Sequence, residues 1–255
     1  MVVFWGIFIF IVGASIGSFL NVCIFRLPED KSIVLPASHC FSCGKSLAWR
    51  DNIPIVSYLL LRGACRQCGA KISPQYPAVE FLTGIIALIL FLKYGLSLPL
   101  LFGFLFLAAL IVTSAIDLRH QIIPHMITLP GIPIFFAAAV FVMDVRPLDA
   151  FLGIMIGAAS LYFVAVYYEW LTDREGMGGG DVNLLAMMGA FLGWQSLIHI
   201  ILVASLAGAI IGVIAMILKG KNSQYAIPFG PFLSLGAFSY LLFGDYITPL
   251  LAGGW

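Results

Sequence analysis

The chain has 255 residues, of which 62% are hydrophobic and only 10% charged, against about 25% charged in an ordinary soluble domain. That balance, with a mean hydropathy of +1.06, excludes a water-soluble globular enzyme and predicts an all-α polytopic membrane protein in a lipid bilayer. A net charge of +1 offers nothing to a nucleic-acid partner.

In chain order, apolar runs of roughly spanning length fall at 3–24, 78–96, 99–116, 126–143, 148–171, 182–195, 197–218 and 231–251, where a crossing needs about 17–25 residues. No Lys or Arg precedes Phe4, so the first run lacks the basic start of a cleavable signal peptide. It reads as a retained helix with its N-terminus outside. Eight crossings put both termini outside, and the basic residues test this. Predicted inner segments hold Arg26, Lys31, Lys45, Arg50, Arg62, Arg66, Lys71, Arg119, Arg174, Lys219 and Lys221, while the outer ones hold Lys93 and Arg146. Run 182–195 is short for a crossing and is the weak member. Glycines four apart, at Gly13/Gly17, Gly153/Gly157, Gly189/Gly193 and Gly208/Gly212, are expected to let helices pack closely.

The one large polar insertion, 27–76, carries Cys40-x-x-Cys43 and Cys65-x-x-Cys68. Paired CxxC knuckles match an all-cysteine tetrahedral zinc site. Gly44 and Gly69 follow each pair, where a tight turn helps both sulfurs face one ion. Two disulfides are the alternative. The insertion is predicted to be cytoplasmic, where thiols stay reduced, so Zn2+ in a structural role is the expectation. His39 is a possible but unneeded further ligand, and Cys23, alone in the first run, is expected to be a packed thiol.

Two acidic residues lie at apolar boundaries. Run 99–116 ends in Asp117, and Gly178-Gly179-Gly180 leads into Asp181 just before run 182–195. Ionisable groups at such depth are rare and usually functional. A pair on one side of a bilayer shares a proton and activates a water, as in an aspartyl peptidase. The three glycines are expected to allow unusual backbone shapes and close approach of a substrate strand. The bland reading makes each aspartate a helix cap, with Asp181 capping the run from Val182. Asp144, Asp149 and Asp245 are expected to be only solvated, and Asp173, Glu169 and Glu175 to be loop charges. His120 and His125 flank the first aspartate and could tune it; His199 is expected to be structural.

The chain resembles the bacterial type IV prepilin leader peptidase/N-methyltransferases. The resemblance rests on Gly17-Ser18-Phe19-Leu20-Asn21-Val22 with Arg26-Leu27-Pro28, the cysteine pairs, Asp51-Asn52-Ile53-Pro54 with Ser57-Tyr58, Tyr76-Pro77 with Glu80, Ile116-Asp117, and Gly176-Met177-Gly178-Gly179-Gly180-Asp181. It implies that Asp117 and Asp181 are catalytic and that Gly178, Gly179 and Gly180 support them. It also implies a substrate, a prepilin or pseudopilin whose basic leader is cut at the cytoplasmic face of the bacterial inner membrane. The new N-terminal residue is then methylated from S-adenosylmethionine. Gly63 and Glu80 match positions associated with methylation, although Glu80 also suits helix-dipole compensation if Pro77 opens its helix. The implied division is a first helix at 1–26, a methyltransferase-associated zinc loop at 27–76 and a peptidase core at 77–255. One departure is Asn183, where relatives often carry lysine. The competing classes are an ion-coupled transporter, disfavoured because both aspartates lie at one edge and no repeat relates two halves, and a scaffold docking a partner through its zinc loop.

Overall fold

The computed structural model describes residues 1–173, 178–219 and 228–251. Arg174, Glu175, Gly176, Met177 and Lys221, all named above, lie outside the described residues. Among the described residues all extended structure is confined to two isolated bridges, and the rest is helix and turn. The helices are α1 (Val2–Arg26), α2 (Val56–Leu60), α3 (Gln75–Tyr94), α4 (Leu98–His120), α5 (His125–Phe141), α6 (Pro147–Thr172), α7 (Gly179–Leu192), α8 (Gln195–Lys219) and α9 (Gly230–Leu251). Each of the eight apolar runs falls on one of these helices, and α2 is a short addition inside the polar insertion.

Among the described residues five helices, α1, α3, α4, α6 and α8, are long and apolar enough to cross a membrane, whereas α5 and α7 are shorter apolar helices. Large apolar side chains such as Val3, Phe163 and Ile217 stand exposed, as expected where lipid takes the place of water. The protein is multi-pass.

The chain divides into two compact units, Met1–Val112 and Thr113–Trp255. In the first, α1 packs along α3. A Cβ on Gly17 would lie 2.8 Å from Glu80 Cα, and one on Gly13 would lie 3.1 Å from Gly84 Cα. Residues 17 and 80, and 13 and 84, therefore face one another in antiparallel register.

In the second unit α7 packs against α5, α6, α8 and α9, and every residue from Leu184 to Phe191 is buried. At 14 residues it is about 21 Å long, short of the roughly 30 Å hydrocarbon core. Its brevity costs little because its neighbours, rather than lipid, cover it. Small residues make this possible. A Cβ on Gly153 would collide with the Gly189 carbonyl and one on Gly189 with the Gly153 carbonyl, while one on Gly157 would lie 2.8 Å from Leu185 O.

Two sequence expectations need correction. Gly193 does not serve helix packing: it ends α7 in the left-handed region, φ +79°, where a side chain is strained. Nor is Asp149 merely solvated. It is 9% exposed, accepting from Arg146 Nε at 2.7 Å and Trp194 Nε1 at 3.1 Å, while its carbonyl takes the Trp194 N–H. It thus ties the start of α6 to the turn after α7.

Candidate active site and metal centre

The polar insertion folds around its cysteines. In each knuckle the glycine after the second cysteine takes a positive φ, +69° at Gly44 and +70° at Gly69. Each glycine N–H donates to the carbonyl of its first cysteine, Gly44 to Cys40 and Gly69 to Cys65, both at 2.9 Å. The N–H of the first cysteine returns to a residue beyond the glycine, Cys40 to Lys45 O and Cys65 to Ala70 O. The two knuckles are copies of one turn. All five cysteines are free thiols, so the disulfide alternative is not what the fold contains.

The four sulfurs of Cys40, Cys43, Cys65 and Cys68 all lie within 4.8 Å of one another, with Cys40 and Cys68 Sγ 3.8 Å apart. A tetrahedron of sulfurs about 2.3 Å from zinc has edges of about 3.8 Å, so the donor set fits that ion. Backbone N–H groups of Cys43 and Ser42 lower the Cys40 thiol to about 6. Cys68 is pushed up to about 11: the Ala70 N–H lowers it, but desolvation and the thiols of Cys65, Cys40 and Cys43 outweigh that. Four clustered thiolates repel one another unless a cation sits among them. His39 turns its Nδ1 to Ala37 O at 3.0 Å and stands outside the sulfur cluster. Arg66, inside the second knuckle, pairs with Asp51, and Arg26 donates to Ser32 O and Pro36 O, holding the chain that leaves α1. We expect about one zinc per chain by elemental analysis. Cys65→Ala should lower it to a small fraction and open the loop to proteolysis; full metal content in that variant would mean the ion sits elsewhere.

In the second unit, α4 runs three residues past Asp117 and stops where Gln121 takes φ +54°; Pro124 then caps α5. Asp117 is 5% exposed. Its Oδ2 accepts the N–H of Gly230, first residue of α9, at 2.9 Å. A helix N-terminus offers unpaired donors and a partial positive charge, which suit a carboxylate. A Cβ on Gly230 would come 2.7 Å from that oxygen. Ser114 Oγ donates to Ser234 Oγ at 2.8 Å, and Ser234 Oγ to Gly230 O at 2.9 Å, pinning the start of α9 to α4. Gly230 is not singled out from sequence; the Pro228-Phe229-Gly230-Pro231 start signal was the available cue.

Asp181 is the third residue of α7, whose N-cap is Gly178 without a side-chain cap bond. The capping reading of Asp181 therefore fails. Its Oδ1 is buried with no hydrogen-bond partner, and it lies within electrostatic range of Asp117. Ile123 sits between the two neighbourhoods: a Cβ on Gly180 would lie 2.8 Å from Ile123 Cβ, and one on Gly230 would lie 3.3 Å from Ile123 Cδ1. None of Gly178, Gly179 and Gly180 has a positive φ, so the expected backbone freedom is not used. What they supply is space: a Cβ on Gly179 would meet nothing within 4 Å, and one on Gly178 only Gly180 N at 3.9 Å. Asn183 Nδ2 bonds His125 Nδ1 at 3.1 Å, so of the two flanking histidines it is His125 that touches the α7 start. His199 bonds Ser239 Oγ and is structural, as expected.

Gly63 and Glu80 both belong to the first unit. Gly63, φ +69°, donates to Tyr58 O at 2.9 Å and accepts from Ile72 N at 2.8 Å; it is a turn residue at the base of the second knuckle. Glu80 is 7% exposed and accepts the Ile55 N–H at 2.7 Å. Its helix opens at Gln75, not at Pro77, and holds no acidic residue in its first turn, which removes the helix-dipole reading.

Two family models match successive parts of the chain. The model for the bacterial peptidase A24 N-terminal domain matches residues 11–94, and that for the type IV leader peptidase family matches 104–213. The chain is 38% identical to a prepilin leader peptidase/N-methyltransferase of Pseudomonas aeruginosa over 261 residues, 93% of this chain and 90% of that protein. It is 40% identical to one of Klebsiella pneumoniae, over 79% of this chain and 91% of that protein. It is 39% identical to one of Myxococcus xanthus, over 85% of this chain but 65% of that longer relative. No solved structure matches the chain.

Proposed function

The chain belongs to the type IV leader peptidase family, and from that premise we propose that it is a bifunctional prepilin leader peptidase and N-methyltransferase of the bacterial inner membrane. Its substrates are prepilins or pseudopilins, and its active site faces the cytoplasm, with both termini outside and eight helices crossing. In this division 1–26 is the first membrane helix, 27–76 the zinc loop associated with methyl transfer and 77–255 the peptidase core.

The observation that carries the peptidase half is the pair itself: two carboxylates remote in sequence, one hydrogen-bonded to a helix N-terminus, the other holding a buried oxygen without a partner. Asp117 and Asp181 share one proton, because like charges within electrostatic range of each other do not both ionise readily. The ionised member takes a proton from a water, and the protonated member donates to the scissile carbonyl. The space beside Gly178 and Gly179 admits the extended substrate backbone, while Gly180 lets Ile123 close the other side. Zinc at Cys40, Cys43, Cys65 and Cys68 holds the loop in shape and takes no part in bond cleavage.

S-adenosylmethionine, when bound, supplies an activated methyl group for the amine freed by cleavage. Within the first unit Glu80 fits such chemistry, being a buried carboxylate with no cationic side chain against it among the described residues.

The test is incubation of the detergent-purified protein with a prepilin, with and without S-adenosylmethionine, followed by mass measurement of the product. The expected product has lost its leader and, with the donor present, gained one methyl group. An intact leader in both reactions would defeat the proposal, and loss of the leader without added mass would leave only the peptidase.

A further inference from the structure

Beside Glu80 lies a second polar group with an unmet need. Asn21 is 1% exposed. Its Nδ2 donates back to Gly17 O at 3.3 Å and across to Tyr76 O at 3.1 Å. Both partners are carbonyls, so the amide has one workable orientation, and Oδ1 is turned away from them. That oxygen is buried with no hydrogen-bond partner. Buried acceptors are nearly always satisfied, and an orphan asks for an absent donor.

Glu80 shares the neighbourhood. Asn21 reaches back over its own helical turn to Gly17, and Gly17 is the residue whose missing side chain lets Glu80 Cα come close. Ser18, three residues before Asn21 and hence on the same face of α1, is a polar neighbour of the Glu80 carboxylate. The donor to Glu80 is the N–H of Ile55, a β-branched residue at φ +63°, ψ −51°. Such a backbone is strained and persists only where its surroundings impose it, commonly at ligand sites. No Lys, Arg or His among the described residues pairs with Glu80.

A buried carboxylate without a cation, next to an acceptor without a donor, is a site built for a positively charged donor. The geometry points to a binding site for a primary ammonium group carried on an α-carbon, seated between Glu80 and Asn21 Oδ1. This deepens, and rests on, the methyl-transfer reading, in which two such groups occur: the N-terminal ammonium of the cleaved peptide and the amino-acid ammonium of the methyl donor. The seat binds and orients the amine, and Asn21 is a positioning residue.

The experiment is direct binding to the purified full-length chain in detergent, scored separately from turnover. The probes are a synthetic peptide starting at the mature pilin N-terminus, the same peptide N-acetylated, S-adenosylmethionine and its N-acetylated form. The wild type should bind at least one free-amine ligand about 10- to 100-fold more tightly than its acetylated form, the range of a charge-assisted hydrogen bond. Glu80→Gln, which keeps an acceptor for the Ile55 N–H, should remove that preference without changing the thermal transition. Loss of preference for the peptide places the pilin amine in the seat; loss for the donor places the donor's amine there. If the wild type prefers neither free amine, or a folded Glu80→Gln keeps the full preference, the site is overturned. The wild-type arm decides the matter even if the variant does not fold. Amine binding without methyl transfer would keep the site and sink the methyltransferase reading, and methyl transfer without the preference would do the reverse.

Discussion

Asp117→Asn and Asp181→Asn should each lower the rate of prepilin cleavage by about 10²–10⁴-fold, the usual worth of a positioned acid or base. Asparagine keeps the volume of the side chain. At position 117 it also keeps an oxygen for the Gly230 N–H, so packing around α4 and α9 should survive. The variant gives up the ability to exchange a proton, needed in one direction at one carboxylate and in the opposite direction at the other. The wild-type rate should fall on both sides of its pH optimum, because a doubly ionised pair has no acid and a doubly protonated pair has no base. Either single variant should flatten one limb while its thermal transition stays near wild type. Single-turnover cleavage followed by mass spectrometry reads both effects. A folded variant cutting at more than about a tenth of the wild-type rate would remove that aspartate from the chemistry, being smaller than the effect of any positioned proton carrier.

Gly153→Val should be the most damaging substitution outside the active site. A Cβ there collides with the Gly189 carbonyl and would stand 2.6 Å from Gly189 C. Backbone cannot swing aside as a flexible side chain can, so α6 and α7 must separate along their length. In lipid, helix association draws on close packing rather than on expulsion of water, so nothing replaces that packing once the two helices part. Overpacking commonly costs about 1–3 kcal/mol, and a clash into backbone belongs at or above the top of that range. We expect a lowered thermal transition and loss of cleavage, because α7 carries Asp181 in its first turn. Gly189→Ala should act in the same direction. Gly208→Ala serves as the control, since a Cβ there would meet Phe232 ring atoms at 3.6 and 3.8 Å, ordinary contact distances. Equal melting of Gly153→Val and Gly208→Ala would refute the packing argument.

Much of this architecture was legible from one-dimensional pattern. A run such as 197–218, apolar but for His199 and Ser205, has few options but a helix in lipid, because unpaired backbone groups there are too costly. The cysteine spacing carried nearly as much: CxxC followed by glycine is a local turn that folds the same way wherever it occurs, so Cys40 to Gly44 and Cys65 to Gly69 came out alike. Asp117 and Asp181 stood out for a related reason, since a carboxylate at the end of an apolar run needs a use.

What sequence could not decide concerns partners brought together by packing. That Gly230 supplies the donor to Asp117, 113 residues away, depends on where α9 begins relative to α4, and no local spacing encodes that. The roles of the glycines divided in the same way. Gly153 and Gly189 serve a helix contact, Gly193 a turn and Gly180 the approach of Ile123, although all four look alike in the chain. Asn21 and Glu80 are two ordinary helical residues until α1 and α3 lie antiparallel and leave one of them short of a donor and the other short of a cation. Composition and period determined that helices form and where lipid meets them, because burial of the backbone is a local demand. Which side chains face each other was settled only by the register of packed helices, a property that every contact along the interface sets at once.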